Sequence, residues 1–384
     1  MTLTQLLLAL ICILTAAKMG GALMQRLGQP AVLGELLGGL IVGASGFGWI
    51  DPHAEVVHGL AELGVLVLLF EVGLETKLQE LAAAGTQAAM VALIGVLAPI
   101  GLGTGLSLAF GLPWLSALLV GAALSATSIG ISARILSERG LLATVTGSII
   151  LGAAIIDDVV GVSLLGIMKR LAEAGTTDWL TVGRITAMSI GFIVLVMVVG
   201  RLFVPVLQRV VAMLRGRGVL LVTFVTFAFL LAYLAERFGS AALIGAFAAG
   251  LLLEETEERH QIETQIKPIA DLLTPVFFVS VGAAVDLRLL NPFDPSAWPT
   301  LMFTVCLVAV AIVGKLLAGF GAWKGDANRL IIGVGMLARG EVGLIFAGVG
   351  ATAGLLDPGH YAAVIATVGI TTLLAPPWLA RIAR

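Results

Sequence analysis

The sequence predicts an all-α polytopic membrane protein, and three observations carry this prediction. Of the 384 residues, 59% are hydrophobic and only 12% are charged, whereas a soluble domain carries about 25% charged residues. The mean hydropathy is +1.08. The apolar runs are continuous and do not alternate with polar residues, which excludes a β-barrel. A soluble enzyme, a disordered protein and, at a net charge of −2, a nucleic-acid-binding protein are excluded as well.

The apolar runs predict about thirteen transmembrane helices, because a helix needs about 20 apolar residues to cross a bilayer. The first run has no basic residues before it and continues past Lys18, so we expect a first span and not a cleaved signal peptide. Cys12 and Cys306 both lie in apolar runs, and we expect no disulfide. The predicted spans are 3–25, 30–45, 58–76, 83–109, 113–136, 143–168, 180–206, 217–236, 240–254, 267–286, 297–321, 328–353 and 360–380.

Lysine and arginine residues in the short loops predict the orientation of these spans. With the N-terminus outside, the cytoplasmic loops collect thirteen of them and the opposite side collects five. Cytoplasmic loops carry an excess of these residues in membrane proteins. We therefore expect a multi-pass protein with the N-terminus outside and the C-terminus in the cytoplasm.

The two halves of the chain resemble each other. RLGQPAVLGELLGGLIVG at 26–43 matches RFGSAALIGAFAAGLLLE at 237–254, and two shorter matches follow in order at nearly the same offset. Because equivalent spans are seven apart, the second copy is inverted in the membrane. The chain is therefore predicted to be one transmembrane unit, residues 1–384, with inverted repeats over about 3–168 and 217–380.

Interruptions in several spans indicate broken helices. They are Gly38-Gly39, the polar segment 125–130 and the polar segment 338–343, while 180–206 is expected to be a helix that links the repeats. Inverted repeats with paired broken helices are typical of secondary transporters, whose site lies at the bilayer midplane where the breaks cross.

Charged residues inside apolar spans indicate where the functional site lies. Each is energetically unfavourable in the bilayer and persists when it is paired or functional. Asp157 and Asp158 lie mid-span in GAAIIDDVVG, and Lys315 lies mid-span in VAIVGKLLAGF. One aspartate can neutralise the lysine, and the other is then left to bind a cation or a proton. Adjacent helical positions are about 100° apart, so the two carboxylates can address different partners.

The residues at the breaks leave two interpretations open. The hydroxyl oxygens of Thr127 and Ser128 can join a carboxylate around Na⁺, or they can bind the backbone of their own helix. Arg339 and Glu341 can form a local pair that stabilises the second break. Glu341 can instead compensate the partial charges of facing half-helix ends or pair with Lys315.

Other charged residues are expected to be structural or solvated. Glu71 and Glu75, late in the third span, can line a cytoplasmic funnel, but we expect them in a snorkelled or solvated position. The four histidines fall in predicted loops, and no cluster of metal-ligand residues is found among them. We expect no cofactor.

The segment IIDDVVG, the segment SATSIGISARIL at 125–136 and Lys315 together resemble a known pattern over essentially the whole chain. It is similar to bacterial antiporters of the monovalent cation:proton antiporter-2 family, and within it to the two-aspartate, thirteen-span sodium/proton antiporters. The resemblance implies a sodium/proton antiporter-like fold with crossing broken helices. It also implies that Asp158 is the main Na⁺ and proton ligand, that Asp157 pairs with Lys315, and that Thr127 borders the transported Na⁺.

The resemblance further implies a homodimer in the lipid bilayer. A dimerisation part, about 3–76 and 217–286, stays fixed while core helices, about 83–168 and 297–380, move past it like an elevator. Two-carboxylate members exchange more protons than sodium ions, so they are electrogenic. Potassium-exporting relatives usually have Gln-Asp at the site and a cytosolic nucleotide-binding domain, whereas this chain has Asp-Asp and ends at Arg384.

These observations predict an electrogenic sodium/proton antiporter that is not an enzyme. K⁺/H⁺ or Li⁺/H⁺ exchange by the same fold stays open, because cation selectivity depends on geometry that a sequence does not show. A passive cation channel is a further alternative. A membrane-embedded aspartyl protease is disfavoured, since its two acids usually face each other from different helices.

Overall fold

A computed structural model of the protein describes residues 2–52, 54–174, 179–214, 218–285, 298–323 and 327–382. The described chain consists of α-helices, one short 3-10 turn at Gly319–Gly321, and connecting turns. The helices are α1 (Leu3–Arg26), α2 (Ala31–Val42), α3 (Glu55–Glu75), α4 (Leu78–Ala109), α5 (Trp114–Ser125), α6 (Ile129–Glu138), α7 (Val145–Ala174), α8 (Trp179–Met213), α9 (Val219–Arg237), α10 (Ala242–Leu253), α11 (Arg259–Ala283), α12 (Trp298–Ala318), α13 (Arg329–Gly335), α14 (Glu341–Thr352) and α15 (Pro358–Ile382).

The chain is an all-helical membrane protein. Among the described residues, nine helices are long and apolar enough to cross a bilayer, or up to ten if each bent pair counts as one span. Shorter apolar helices accompany them, among them α2 and α10. The count of thirteen spans therefore stays a prediction. Several helices extend beyond the predicted spans, as α11 does by starting at Arg259, because a helix continues into polar sequence where it leaves the apolar layer.

The predicted interruption at Gly38-Gly39 is wrong, because α2 is one continuous helix. The glycines instead let neighbouring helices approach. A Cβ at Gly38 would lie 2.8 Å from a carbonyl oxygen of α1, and a Cβ at Gly39 would collide with the backbone of Val279 in α11. From the other side of this crossing, Gly282 lies against the backbone of Leu36. Small residues permit such close helix contacts in membrane proteins.

Helices α3 and α10 cross in the same way. Gly73 of α3 lies against the backbone of Phe247, and Gly250 of α10 lies against the backbone of Phe70. Each glycine removes the side chain that would hold the two helices apart. The α2–α11 and α3–α10 crossings are thus built from backbone-to-backbone contacts.

The two broken helices are α5–α6 and α13–α14. They are enclosed by α4, α7, α12 and α15, and α6 also packs against α2 and α3. The functional residues proposed from the sequence lie on α7, on α12 and in the two breaks.

Candidate functional site

The two helix breaks are joined directly to each other. Ala126 and Ser128 have extended backbone, so α5 stops and α6 starts with three residues between them. The backbone N–H of Ser128 donates to the carbonyl of Ala338, 2.9 Å away. The hydroxyl of Ser132 donates to the carbonyl of Gly335 at 2.6 Å. Backbone groups freed at one break are therefore partly satisfied by the other, as buried polar groups require.

Arg339 neutralises two half-helix C-termini at once. Its side chain is fully buried, and its Nε and Nη2 donate to the carbonyl of Leu124 at 3.2 and 2.7 Å. Its Nη1 donates to Leu337 at 3.1 Å and its Nη2 also to Ala311 at 3.4 Å. Leu124 is the second-last residue of α5, and Leu337 comes two residues after the end of α13. Helix dipoles place partial negative charge at these ends. The guanidinium therefore compensates both negative ends.

The backbone of Arg339 is held as firmly as its side chain. Its N–H donates to the hydroxyl of Thr372 at 3.2 Å, and that hydroxyl donates to the Arg339 carbonyl at 2.6 Å. Thr372 is not among the residues predicted from the sequence. The signal available was a pair of hydroxyl residues, Thr371 and Thr372, in the apolar last span.

Lys315 reaches the first break from α12. It is fully buried, and its Nζ donates to the carbonyl of Ser125 and, at 2.6 Å, to the hydroxyl of Thr127. The same Nζ lies 3.4 Å from Oδ2 of Asp157. The ammonium group thus joins the C-terminal end of α5, the Thr127 hydroxyl and one carboxylate of α7.

Asp157 and Asp158 are both buried in the middle of α7, with 2% and 7% of their surface exposed. Asp158 is near enough to Lys315 for its charge to act on the ammonium group. The structure therefore brings Asp157, Asp158, Thr127 and Lys315 to one place beside the crossing.

The remaining predicted residues are placed less centrally. Ser128 is buried, and a Cβ at Gly340 would lie 3.0 Å from its Oγ, so this side chain lies between the two breaks. The hydrogen bonds of the Arg339 side chain go to backbone carbonyls, because its fork of donors faces helix ends. The side chain of Glu341 lies outside the described part of the structure.

The expectation for Glu71 is wrong. Its exposed surface is only 8%, so it is neither solvated nor snorkelled. It is buried because α3 packs against α6, α10 and α11. Glu75, one turn further along, accepts a hydrogen bond at 3.0 Å from the hydroxyl of Ser137 in α6.

Comparisons with known proteins agree over nearly the whole chain. The family model for the sodium/hydrogen exchanger transmembrane domain matches residues 7–384. The high-affinity Na⁺/H⁺ antiporter NhaS3 of Synechocystis is 43% identical, with 99% of this chain and 90% of that protein covered. The Na⁺/H⁺-K⁺ antiporter GerN of Bacillus cereus is 36% identical over 96% of this chain and 93% of its own length.

A solved structure has the same fold at low identity. The sodium proton antiporter MjNhaP1 of Methanocaldococcus jannaschii superimposes with a TM-score of 0.70 at 18% identity, over 99% of this chain and 97% of that one. The similarity to this structure concerns the fold, whereas the family model and the two relatives concern the sequence itself. By that sequence match, the chain belongs to the sodium/hydrogen exchanger family.

Proposed function

We propose that this protein is an electrogenic antiporter that exports Na⁺ in exchange for H⁺. The observation that carries the proposal is the buried pair Asp157–Asp158 beside Lys315 and the crossing of two broken helices. Buried ionisable residues inside membrane-spanning helices mark ion and proton pathways. The names of the sequence relatives, which are Na⁺/H⁺ antiporters, point to the same activity.

In this proposal Asp158 is the ligand that Na⁺ and H⁺ share. Na⁺ is a hard cation, which oxygen ligands suit, and Asp158, Asp157, Thr127 and Ser128 offer carboxylate and hydroxyl oxygens. The Thr127 hydroxyl accepts from Lys315, and a hydroxyl oxygen has a second lone pair for a cation. Protonation of Asp158 removes its charge and, together with the return of Asp157 to Lys315, releases Na⁺, so one site serves the two ions in turn.

Asp157 and Lys315 act as an ion pair that opens when Na⁺ binds. A cation beside Asp157 competes with the ammonium group, which lies 3.4 Å from that carboxylate. Release of a proton from Lys315 in the Na⁺-bound state would make the exchange electrogenic, with more protons than sodium ions per cycle. Arg339, with Glu341, compensates the half-helix ends and does not bind the transported ion.

The architecture proposed for this cycle is a thirteen-span protein with two inverted repeats. Support comes from the glycine crossings. The contacts that Gly39 and Leu36 of α2 make with α11 correspond to the contacts that Gly250 and Phe247 of α10 make with α3. These contacts are equivalent under the offset of the sequence repeat, and α2 and α10 each span twelve residues.

We further propose that the core, about 83–168 and 297–380, moves against a dimerisation part, about 3–76 and 217–286. The helix 180–206 links the repeats. The active form is a homodimer in a bacterial cytoplasmic membrane, with the N-terminus outside and the C-terminus in the cytoplasm. Within the wider family, the two-aspartate branch of the monovalent cation:proton antiporter-2 proteins fits the Asp157–Asp158 pair best.

The test is proton movement in proteoliposomes with an imposed pH gradient. Addition of NaCl should dissipate the gradient with wild-type protein and not with D158N. The matched control is D51N, which removes a carboxylate in the exposed loop before α3 and should leave exchange intact. Equal activity of D158N and wild type would remove Asp158 from the site.

The same assay separates the alternatives. If KCl or LiCl dissipates the gradient and NaCl does not, the transported cation is not Na⁺, but the exchange mechanism is kept. K⁺ is included because one relative is named an Na⁺/H⁺-K⁺ antiporter. Cation flux without proton coupling in folded protein would favour a passive channel. Electrogenicity is tested by the dependence of exchange on membrane potential, which should vanish in K315M if Lys315 carries the additional proton.

A further inference from the structure

Helix α4 contains a proline in its interior. Pro99 lies well inside the helix, which spans Leu78–Ala109. A proline has no backbone N–H, so it cannot donate to the carbonyl four residues earlier, and its ring pushes against that carbonyl. In α4 this carbonyl belongs to Gly95. Backbone polar groups inside a membrane need a partner within the protein. The proline therefore makes the Gly95 carbonyl available to a donor outside α4.

The released carbonyl lies on the face of α4 that packs against α12. Gly95 and Pro99 are one helical turn apart, so they share a face of the helix. A Cβ at Gly314 of α12 would lie 3.0 Å from N, Cα and Cγ of Pro99, so the proline packs closely on α12. One turn away, a Cβ at Gly95 would lie 3.3 Å from Cβ of Ala318. The two helices are therefore antiparallel and in close contact along this face.

Lys315 lies between these two contacts. A Cβ at Gly95 would lie only 3.8 Å from its Nζ, so the ammonium group lies beside the backbone of α4. The same Nζ donates to the hydroxyl of Thr127 at 2.6 Å, and it lies at the longer distance of 3.4 Å from Asp157. Gly95 is buried. The backbone of α4 is thus a polar surface within reach of Lys315 on the face that Gly95 leaves without a side chain.

Opening of the ion pair leaves Lys315 in need of an acceptor. Nζ has three hydrogen-bond partners among the described residues, and Asp157 is one of them. A buried donor that loses its acceptor destabilises the state in which this happens. An amine keeps N–H donors whether or not it carries the additional proton. The need for a new acceptor therefore does not depend on the protonation state of the lysine.

We propose that the backbone carbonyl of Gly95 is a second acceptor for Lys315, to which Nζ turns when Na⁺ displaces it from Asp157. The proposal rests on the proposed function, because Na⁺ is the ion that opens the pair. Gly95 and Pro99 are then positioning residues. Pro99 releases the carbonyl from the helix, and the missing side chain of Gly95 leaves the approach of Nζ clear. The lysine exchanges one acceptor for another and stays beside the site.

Two substitutions impair this acceptor in different ways. P99A restores the backbone N–H that bonds the Gly95 carbonyl within α4, and G95A places a methyl group 3.8 Å from Nζ. Na⁺ binding to purified protein in detergent is measured by isothermal titration calorimetry at constant pH. Each variant should bind Na⁺ about two- to tenfold more weakly than wild type, which corresponds to the loss of one hydrogen bond.

The matched controls make the same chemical changes away from Lys315. P268A restores a helical N–H at an exposed position of α11, and G101A adds a methyl group to α4 where no neighbouring atom lies within 4 Å. Both should bind Na⁺ as wild type does. A K315M background separates positioning of the lysine from a purely structural role. Without Nζ, P99A and G95A should no longer weaken Na⁺ binding relative to K315M alone.

A structure of the D157A variant, determined by electron cryomicroscopy in buffer without Na⁺, tests the contact directly. Removal of the carboxylate opens the pair, so Nζ of Lys315 should lie about 2.7–3.2 Å from the carbonyl oxygen of Gly95. A structure in which Nζ stays away from Gly95 would overturn the inference.

The binding data can overturn it as well. This follows if P99A and G95A bind Na⁺ as tightly as wild type, or if they weaken binding equally in the K315M background. A wild-type protein that binds no Na⁺ would instead refute the proposed function, and the D157A structure would still decide whether Gly95 accepts from Lys315.

Discussion

Replacement of Arg339 by methionine tests whether this residue holds the helix crossing together. The side chain is fully buried, and its three hydrogen bonds of 3.2 Å or shorter reach the carbonyls of Leu124 and Leu337. Methionine has similar length and no donor, so both carbonyls would be left without this partner at negative helix ends. The carbonyl of Ala311 loses a longer contact of 3.4 Å.

The magnitude follows from these contacts. A buried acceptor left unsatisfied costs about 1–3 kcal/mol, and the lost charge at a helix C-terminus adds about 0.3–2 kcal/mol. Part of this loss is offset, because the variant no longer has to desolvate a guanidinium group when it folds. We expect a net loss of about 2–4 kcal/mol, which corresponds to a fall in Tm of roughly 2–5 °C for a chain of this length.

Thermal denaturation of purified protein in detergent, followed by size-exclusion chromatography, measures this difference. R339K keeps the charge and loses the fork of donors, so it should fall between wild type and R339M. The control is R237M, since Arg237 is exposed and bonds only Tyr233, one turn away on α9, among the described residues. R237M should change Tm by less than about 1 °C. Equal Tm values for R339M and R237M would refute the capping role.

Two further predictions concern packing and helix capping. G250A should lower Tm and expression strongly, because the added methyl group would collide with the backbone of α3. The control is G85A on α4, where no neighbouring atom lies within 4 Å, and this variant should be neutral or gain up to about 1 kcal/mol of stability. Equal losses of stability in both variants would contradict the close crossing. Asp357 caps α15, and the backbone N–H of His360, at 2.9 Å, holds the pKa of Asp357 below its ordinary value of 3.8. Since the pKa of Asp357 is lowered in the folded protein, the stabilisation by its carboxylate is present above pH 3.8 and is lost as the pH falls further. D357A should therefore lower the free energy of unfolding by about 1 kcal/mol at pH 7 and by less below pH 3.8. D357N, which can still cap the helix, should lower it less than D357A does at pH 7.

Much of the helix pattern was predictable from the sequence. Apolar runs of the required length are separated by polar residues, and the match of 26–43 with 237–254 anticipates two short helices of equal length, α2 and α10. Rare charged residues in apolar sequence also indicated which groups meet, because Asp157, Lys315 and Thr127 converge in the structure.

The partners of Arg339 were not predictable in the same way. Glu341 is its close neighbour in sequence, which suggested a local pair. The groups that the guanidinium binds are backbone carbonyls, and that of Leu124 belongs to a helix 215 residues earlier. A carbonyl group has no sequence signature, so only the three-dimensional crossing identifies it.

Glu35 and Glu71 are also buried, with 5% and 8% of their surface exposed, and this burial was not predictable for a related reason. A glutamate near the end of a span is ordinarily solvated, and its burial depends on helices that are distant in sequence. Gly38 and Gly39 posed the opposite problem, since glycine both breaks helices and permits helix contact. Neighbouring helices decide between these roles, and the local sequence does not.

The two buried cations at the crossing also insulate the membrane. Lys315 and Arg339 are both fully buried there, and a unit positive charge about 5 Å from either one is repelled by about 3 kcal/mol at an effective dielectric constant of 20. In the proposed mechanism Lys315 can release its proton, so Arg339 is the fixed positive charge that a sodium ion meets if it continues through the crossing. We expect this repulsion to oppose the uncoupled passage of cations, and so to keep the exchanger from dissipating the ion gradient across the membrane.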